Sequence, residues 1–470
     1  MAGGLASIPL PRSSPALNFA LTAALAAFAL AALSPALFND GDTYWHIRAG
    51  EWMLDHGAVP HRDIFSYTRA GAPWSPAEWL AQVVMALAFR AGGWTGLHLL
   101  FGAAAGLAAA IVAGALRARL APTAALLATV LGLACVSGSL LARPHLLALP
   151  LLALWTAGLV RAREDDRAPG WWLLAVMALW ANLHGGFAFG LALAAALAVE
   201  AIITARGQGP MPWRWGVFVL AATAAAMLTP QGLDGLLFPL RLLGMSSLNH
   251  LGEWQPSDMT TMTPFGIALL ALAGVLVMGK VRVPWPRAVI LLGLVYLALA
   301  HQRHQLLFGV AGPLLLAPSL AAAWPRGTEQ ASPLIAPLAA ITLCGVALLR
   351  LSLPVAHGDD AMSPVTALAH VPVRLHALPV LNDYGFGGYL IWRGVKPFID
   401  SRADLYGDGF LADYATITAP DRNRLAAALA EHRVRWTILA ADAPVTKAMD
   451  SMPGWHRLYG DAIAVVHVQD

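Results

Sequence analysis

Charged residues are scarce in this chain of 470 residues, and cysteine is almost absent. Only 12% of the residues are Asp, Glu, Lys or Arg, against roughly 25% in soluble globular domains. This composition excludes a soluble enzyme, a disordered chain and a fibrous protein. The two cysteines, Cys135 and Cys344, lie far apart in apolar runs. Neither a disulfide framework nor a thiolate metal site is therefore expected.

The chain also lacks a run of Lys and Arg dense enough to follow a nucleic-acid backbone, and its net charge is only +3. No nucleic-acid partner is expected. Hydrophobic residues, in contrast, make up 58% of the chain. Residues 1–355 carry 20 Lys or Arg and 14 Asp or Glu, whereas residues 356–470 carry 10 and 13 in about a quarter of the length. The pattern predicts a transmembrane domain over 1–355 and a soluble domain over 356–470.

A membrane-spanning helix needs about 20 apolar residues. Eleven stretches approach this length, so the predicted fold class is a polytopic α-helical membrane domain of about eleven spans, followed by a small α/β domain. The spans are 16–37, 94–116, 122–140, 145–161, 170–183, 187–205, 215–230, 263–280, 288–301, 305–323 and 333–352.

Two of these spans have alternatives. The segment 182–186 interrupts a long apolar run and predicts two helices over 170–205, although one kinked helix would fit the same run. The first span has about 22 apolar residues, which is longer than the core of a typical signal peptide. It is interpreted as an anchor, with cleavage as the alternative.

The distribution of basic residues sets the expected orientation. Lys and Arg are concentrated in the loops of one side, whereas the short loops of the other side carry only Arg143, Arg241 and Arg303. The long first loop, 38–93, adds four arginines to that other side, which weakens the bias without reversing it. We expect a bacterial inner-membrane protein with a cytoplasmic N-terminus and a periplasmic first loop and C-terminal domain.

The first loop contains two segments with a helical pattern, 44–56 and 76–90. The basic residues favour an orientation in which both lie along the membrane surface, although 76–90 could itself be a short span. Most remaining polar residues of the membrane domain also fall near the ends of the spans on this outer face. A transporter would place them near the middle of the membrane, but the middles of the spans are largely Ala, Leu and Val. Glu200 is the clearest exception, and it lies near the inner end of its helix.

The sharpest motif runs from Asn39 to Gly50 and contains Asp40, Asp42 and His46. Either carboxylate could act as a general base, with its pKa raised by partial burial. Either could also bind a hard cation such as Mg²⁺ or Mn²⁺. The structural alternative is that Asp42 or Thr43 caps the following helix, for which Asp40 stands too early.

A long first outer loop with an acidic motif and two surface helices resembles the GT-C superfamily of integral-membrane glycosyltransferases. That superfamily includes protein O-mannosyltransferases, aminoarabinose transferases and the catalytic subunit of oligosaccharyltransferase. The resemblance covers the layout of the whole chain, with its motif confined to residues 39–50 and, more weakly, the tail. It implies that Asp40 or Asp42 is the catalytic or metal-binding carboxylate. Some members need a divalent cation and others do not.

The same resemblance implies a phosphate linked to a polyprenyl lipid as part of the donor. Arginine binds phosphate with two parallel hydrogen bonds, so the motifs 143–145 and 301–304 are candidates, with interfacial snorkelling as the alternative. Other residues expected to bind substrate or phosphate lie on the same face. The full set is His46, Arg143, His145, His184, Glu253, Arg303 and His304.

The tail supplies a second set of candidates for binding acceptor or sugar: Asp383, Tyr384, Asp400, Arg402 and Asp404. The segment 382–389 resembles the Trp-Trp-Asp-Tyr-Gly signature of oligosaccharyltransferases without its tryptophans, and a tight turn between paired strands is the alternative. A strand over 398–400 is predicted to present Asp400, Arg402 and Asp404, with an internal Arg–Asp ion pair as the alternative.

These features predict an integral-membrane glycosyltransferase that moves a sugar from a polyprenyl-phosphate donor to an envelope acceptor. Its expected partners are that donor and the membrane lipids. Two other functions fit the composition. One is a non-catalytic partner in envelope polysaccharide assembly, and the other is a lipid or solute transporter.

Overall fold

The computed structural model describes residues 14–204, 212–246, 252–324, 334–353, 358–419 and 421–470. The predicted boundary between residues 355 and 356 lies outside these residues. The first part of the chain forms helices α1 (Pro15–Leu33), α2 (Asp42–His56), α3 (Trp79–Arg117), α4 (Pro122–Val136), α5 (Pro144–Glu164), α6 (Leu173–Leu183), α7 (Phe187–Thr204), α8 (Pro212–Ala226), α9 (Leu233–Leu243), α10 (Pro264–Val277), α11 (Trp285–Ala300), α12 (Gln305–Ala323) and α13 (Ile335–Ser352).

Each of the eleven predicted spans coincides with one of these helices. In the described ranges, seven helices are long and apolar enough to cross a membrane, and three further apolar helices, α6, α10 and α11, are shorter. The chain leaves the helical conformation between Leu183 and Phe187, which confirms two helices over 170–205. The predicted polytopic helical fold is confirmed.

The carboxylate of Glu200, near the end of α7, is accounted for by an ion pair. Arg287 on α11 donates two hydrogen bonds of 2.7 Å to Glu200 on α7, and both side chains are buried. Arg163 on α5 lies 3.6 Å from the same carboxylate. Since the two charges neutralise each other, Glu200 joins three helices instead of standing alone along a transport pathway.

The first loop is folded more deeply than predicted. Helix α2 packs between α3 and the tail, and its residues 42–47 are all buried. Arg48 on the same helix is partly exposed, and the position of α2 at the membrane surface stays a prediction. The second predicted helix is the start of α3, and it is separated from the span by a kink at Gly92 and Gly93. The φ of +56° at Gly93 is readily adopted only by glycine.

The tail is a mixed α/β unit, as predicted. Its elements are α14 (Val365–Ala369), β1 (Val380–Asn382), α15 (Gly387–Trp392), α16 (Ala403–Ile417), α17 (Arg422–Glu431), β2 (Trp436–Ala440), α18 (Pro444–Met449), β3 (Trp455–Gly460) and β4 (Ala464–Gln469). The strands form one sheet in the order β1-β2-β4-β3. Strands β1 and β2 are parallel, and the other pairs are antiparallel.

Two local predictions in the tail are wrong. The glycine-rich segment after Asn382 is not a turn between paired strands, because β1 leads through a 3₁₀ turn into α15. The segment 398–400 is not a strand. The Asn382 side chain accepts a hydrogen bond from the Phe398 amide and donates one to the Ile399 carbonyl, both of 2.8 Å. These bonds replace those that a neighbouring strand would supply.

The tail and the first loop share a hydrophobic core. Trp45, Phe65 and Trp74 of the first loop are buried in one cluster with Ile399 and Leu439 of the tail. At roughly 25 cal/mol per Å² of buried apolar surface, aromatic side chains of this size dominate such an interface. The start of α2 is thereby held between the membrane helices and the tail.

Candidate active site

The acidic motif lies in the turn that leads into α2. Asp42 is the first residue of the helix, and its backbone N–H donates a 2.7 Å hydrogen bond to Oδ1 of Asp40. The capping role proposed for Asp42 or Thr43 is therefore wrong, and Asp40 is the residue that bonds the helix start. The carboxylate of Asp42 is free to face Arg143.

Arg143 connects the carboxyl groups of the site. It stands immediately before α5 and donates hydrogen bonds to Asp42 Oδ2 and, at 2.8 Å, to Glu253 Oε2. Its Nε lies 3.5 Å from Oδ2 of Asp40. One guanidinium thus contacts three carboxyl groups, two from the acidic motif and one from Glu253.

The two carboxyl groups of the acidic motif have different surroundings. Asp42 also accepts hydrogen bonds from the Ser401 hydroxyl and from the Trp45 indole, the latter at 3.2 Å. Asp40 is 12% exposed. Burial raises the pKa of Asp40 above its usual value, although Arg143 opposes this shift. Asp40 is consequently the better proton acceptor, and Asp42 is the better-anchored group.

Glu253 joins Arg143 to a second arginine. Its Oε1 accepts a 3.0 Å hydrogen bond from Arg303, whose guanidinium lies 4.4 Å from the ring centre of Trp254. Burial raises the pKa of Glu253, but Arg143 and Arg303 outweigh it and lower the pKa to about 2. Glu253 is the only residue in the described ranges that is hydrogen-bonded to Arg303. Because a guanidinium has five N–H donors, Arg303 can still bind an anion.

The tail closes the site through very close backbone contact. A Cβ on Gly388 would overlap the carbonyl oxygen of Gly41, and a Cβ on Gly41 would lie 2.8 Å from the carbonyl oxygen of Gly385. The glycines of segment 382–389 thus allow the tail to touch the acidic motif. Next to this contact, Ser401 hydrogen-bonds Asp42, so the tail contributes directly to the site.

We predict that Gly388→Ala weakens the docking of the tail. The added methyl group would clash with the backbone of Gly41 and not with a flexible side chain. The folded protein is therefore expected to lose about 1–3 kcal/mol of stability. Gly409→Ala is the matched control, because no atom lies within 4 Å of its Cβ position. Thermal unfolding and limited proteolysis of the purified full-length protein would measure the difference. Equal behaviour of the two variants would contradict the close contact.

The predicted histidines line the same region. His46 and His184 face Glu78, with Nε2 to carboxylate distances of 3.8 and 3.6 Å. The rings of His145 and His184 have centres 6.1 Å apart, and Nε2 of His145 lies 2.6 Å from the Ser139 carbonyl oxygen. His304 packs against Trp254, beside Arg303.

The predicted tail residues divide into two groups. Asp400 and Arg402 are buried and form two hydrogen bonds of 2.7 Å with each other, and Arg402 also bonds Asp63 of the first loop. This is the internal ion pair, so neither side chain is accessible to a ligand. Asp383 accepts a hydrogen bond from the Gly385 amide and so supports the local turn.

Tyr384 and Asp404 remain close to the charged cluster. Burial raises the pKa of Tyr384, while Arg143 lowers it and Glu253 raises it further, which places its hydroxyl within electrostatic range of both. Asp404 is exposed and accepts a 3.1 Å hydrogen bond from the Trp74 indole. These two are the tail candidates that can meet a ligand.

No sequence pattern assigned a role to Glu78, Ser401 or Asp63. A signal existed for Glu78, which is the only acidic residue between Asp63 and Glu164. The roles of Ser401 and Asp63 depend on contacts across more than 330 residues of chain. No spacing rule in the sequence relates such positions.

The arrangement does not fit a divalent cation. The carboxylate of Asp42 already accepts hydrogen bonds from Arg143, Ser401 and Trp45. Arg143 also supplies the positive charge beside Asp40. Throughout the described ranges, no group of three or more His, Cys, Asp or Glu residues is placed to hold a metal ion. We therefore assign no step to Mg²⁺ or Mn²⁺.

A separate apolar groove of about 610 Å³ lies between α1, α4 and Ile335 of α13. Its lining is mostly Ala, Leu and Val, and none of the residues of the charged cluster belongs to it. Such a surface can contact lipid but offers little for bond making or proton transfer. The chemistry is assigned to the charged cluster.

No protein-family model and no curated protein matches the chain. Solved structures do match. ArnT from Cupriavidus metallidurans, bound to undecaprenyl phosphate, is 12% identical with a TM-score of 0.52, and the match covers 95% of this chain and 97% of that one. The arabinofuranosyltransferase AftD from Mycobacteria is 15% identical with a TM-score of 0.54, over 98% of this chain and 42% of that one.

A third match is the oligosaccharyltransferase AglB from Archaeoglobus fulgidus, in complex with an inhibitory peptide and a dolichol-phosphate. It is 10% identical with a TM-score of 0.50, over 97% of this chain and 75% of that one. All three are GT-C glycosyltransferases. This chain therefore has the GT-C fold, as its sequence predicted.

Proposed function

We propose that this protein is an integral-membrane glycosyltransferase that moves a sugar from a polyprenyl-phosphate-linked donor to an envelope acceptor. The observation that carries the proposal is the cluster of Asp40, Asp42, Arg143, Glu253 and Arg303 beneath the tail. It combines a proton acceptor with a guanidinium that can bind phosphate. The lipid phosphates bound to ArnT and AglB support the donor class.

The proposed reaction is a single inverting displacement. The acceptor hydroxyl attacks the anomeric carbon of the sugar while Asp40 takes its proton. The bond between that carbon and the phosphate oxygen breaks, and the electron pair leaves with the phosphate. Arg303, which has unused donors, stabilises the charge on the departing phosphate. Arg143 and Asp42 hold Asp40 and Glu253 in place.

The remaining candidate residues surround the proposed binding site. His46, His145, His184 and His304 line its inner wall, while Tyr384 and Asp404 close it from the tail. Asp383, Asp400 and Arg402 support the tail from behind. We place the reaction on the periplasmic face of a bacterial inner membrane, because the basic residues favour the cytoplasm for the opposite loops.

The test is an envelope-glycan profile of cells that lack the protein, compared with the same cells carrying the wild-type chain. We expect cells that lack the protein to accumulate a lipid-linked sugar and to lose one glycan modification. The wild-type chain should reverse both changes. Identical profiles with and without the protein would contradict the transferase proposal. A changed polysaccharide without an accumulated lipid-linked sugar would instead support a role in assembly.

A further inference from the structure

Glu78 is a further carboxyl group close to the charged cluster, and its backbone is firmly held. It directly precedes α3, whose first residue, Trp79, donates a 2.7 Å hydrogen bond to Asn182. On its other side, Gln231 donates a 2.9 Å hydrogen bond to the carbonyl of Pro76. Two amide side chains, one from α6 and one from the turn before α9, thus fix the segment that carries Glu78.

The carboxyl group of Glu78 nevertheless has no hydrogen bond to any residue of the described ranges. The Nε2 atoms of His46 and His184 lie 3.8 and 3.6 Å from its two oxygens, beyond hydrogen-bonding distance. A quarter of its side-chain surface is accessible. A positioned and partly accessible carboxyl group with no hydrogen-bond partner among the described residues is suited to a ligand.

The two imidazoles are oriented by bonds on their other nitrogens. Nδ1 of His184 accepts a 3.0 Å hydrogen bond from the Gly186 amide, so Nε2 of the neutral ring carries the proton and points towards Glu78. Nδ1 of His46 lies 3.2 Å from the Gln82 amide nitrogen. Glu78 and these imidazoles provide both donors and acceptors at one spot.

The pKa shifts of these three groups all favour their neutral forms. Burial lowers the pKa of His46 to about 3 and that of His184 well below its usual value. Burial also raises the pKa of Glu78 to about 8, although Arg303 opposes the shift. Of the other groups that face it, Asp404 and Glu253 raise the pKa further. A neutral carboxylic acid and two neutral imidazoles suit hydroxyl groups better than phosphate.

We propose that Glu78, His46 and His184 form the subsite that binds the hydroxyl groups of the transferred sugar, separate from the arginines that bind the donor phosphate. The inference rests on the proposed transferase function. In this arrangement the donor phosphate binds at Arg303, and the sugar ring binds at Glu78. Glu78 would then determine which lipid-linked sugars are accepted.

The experiment compares binding of bare undecaprenyl phosphate with binding of undecaprenyl-phosphate glucose, mannose and arabinose. The full-length protein is held in lipid nanodiscs and studied by native mass spectrometry at pH 7. We expect the wild type to bind at least one sugar-bearing lipid about tenfold more tightly than the bare lipid phosphate, since buried polar groups left unpaired penalise the ligand that lacks hydroxyls.

Three variants test the role of Glu78. Glu78→Ala should lose this preference and keep the affinity for bare undecaprenyl phosphate. Glu78→Gln, which keeps neutral donors and acceptors, should retain it. Glu51→Ala is the matched control, because Glu51 pairs with Arg48 on α2 and has no contact with this group. Retention of the preference in Glu78→Ala, or absence of any preference in the wild type, overturns the subsite.

The pH dependence gives a second readout. Above about pH 8 the carboxyl group of Glu78 loses its proton, so the wild-type preference should fall as pH rises, while Glu78→Gln should show no such fall. The same alkaline loss in Glu78→Gln would overturn the assignment. If the wild type fails to bind undecaprenyl phosphate itself, the donor class of the proposed function is wrong, which is distinct from failure of the sugar subsite alone.

Discussion

Replacing Arg303 with alanine is expected to lower the rate of sugar transfer by about 10²- to 10³-fold, the usual effect of removing a donor to a developing negative charge. Arg303 forms one hydrogen bond, to Glu253, among the described residues, and its guanidinium is held over the Trp254 ring. It therefore offers positioned N–H groups to the departing phosphate. The loss should appear mainly in kcat, because the charge on the phosphate grows in the transition state.

Two further variants isolate this effect. Arg303→Lys keeps the charge but not the planar fork, so an intermediate loss of about tenfold is expected. Arg241→Ala removes an exposed arginine that pairs with exposed Asp234, and it should leave the rate unchanged. Transfer would be followed in membranes matched for protein level. Equal rates in Arg303→Ala and Arg241→Ala would contradict the phosphate role of Arg303.

Asp40→Asn is expected to lower kcat by about 10²- to 10⁴-fold, which is the contribution typical of a general base. The amide keeps the size of the side chain and can still accept the hydrogen bond from the Asp42 backbone, so the start of α2 should remain intact. The main change is that the side chain at position 40 can no longer accept a proton as a base. The measurement is single-turnover transfer with wild-type and variant protein at equal membrane levels.

The pH profile distinguishes a base from a structural carboxylate. Burial raises the pKa of Asp40, so the wild-type rate should fall as pH decreases through a pKa above the usual value near 3.8. Asp40→Asn should lack this acidic limb. Asp42→Asn should instead weaken the contact with Arg143 and Ser401, with lowered thermal stability. Full restoration of the envelope-glycan profile by both Asp40→Ala and Asp42→Ala would favour the non-catalytic interpretation.

The helices of the membrane domain were predictable because their signal is local. An apolar run of about 20 residues needs no partner to indicate a span, and all eleven such runs coincide with helices. The mixed α/β class of the tail was predicted as well. The tail was mispredicted at 382–389 and 398–400, where the conformation depends on Asn382 and on the first loop.

The sequence by itself determined the fold class, the positions of the membrane helices and the residue types gathered at their polar ends. Only the tertiary structure decided which of these residues meet. It paired Arg402 with Asp400 and Asp63, placed Arg143 among three carboxyl groups, and revealed Glu78 between two histidines. The reason is physical, since burial and neighbouring charge give each carboxyl group its role, and both arise from segments that are distant in the chain.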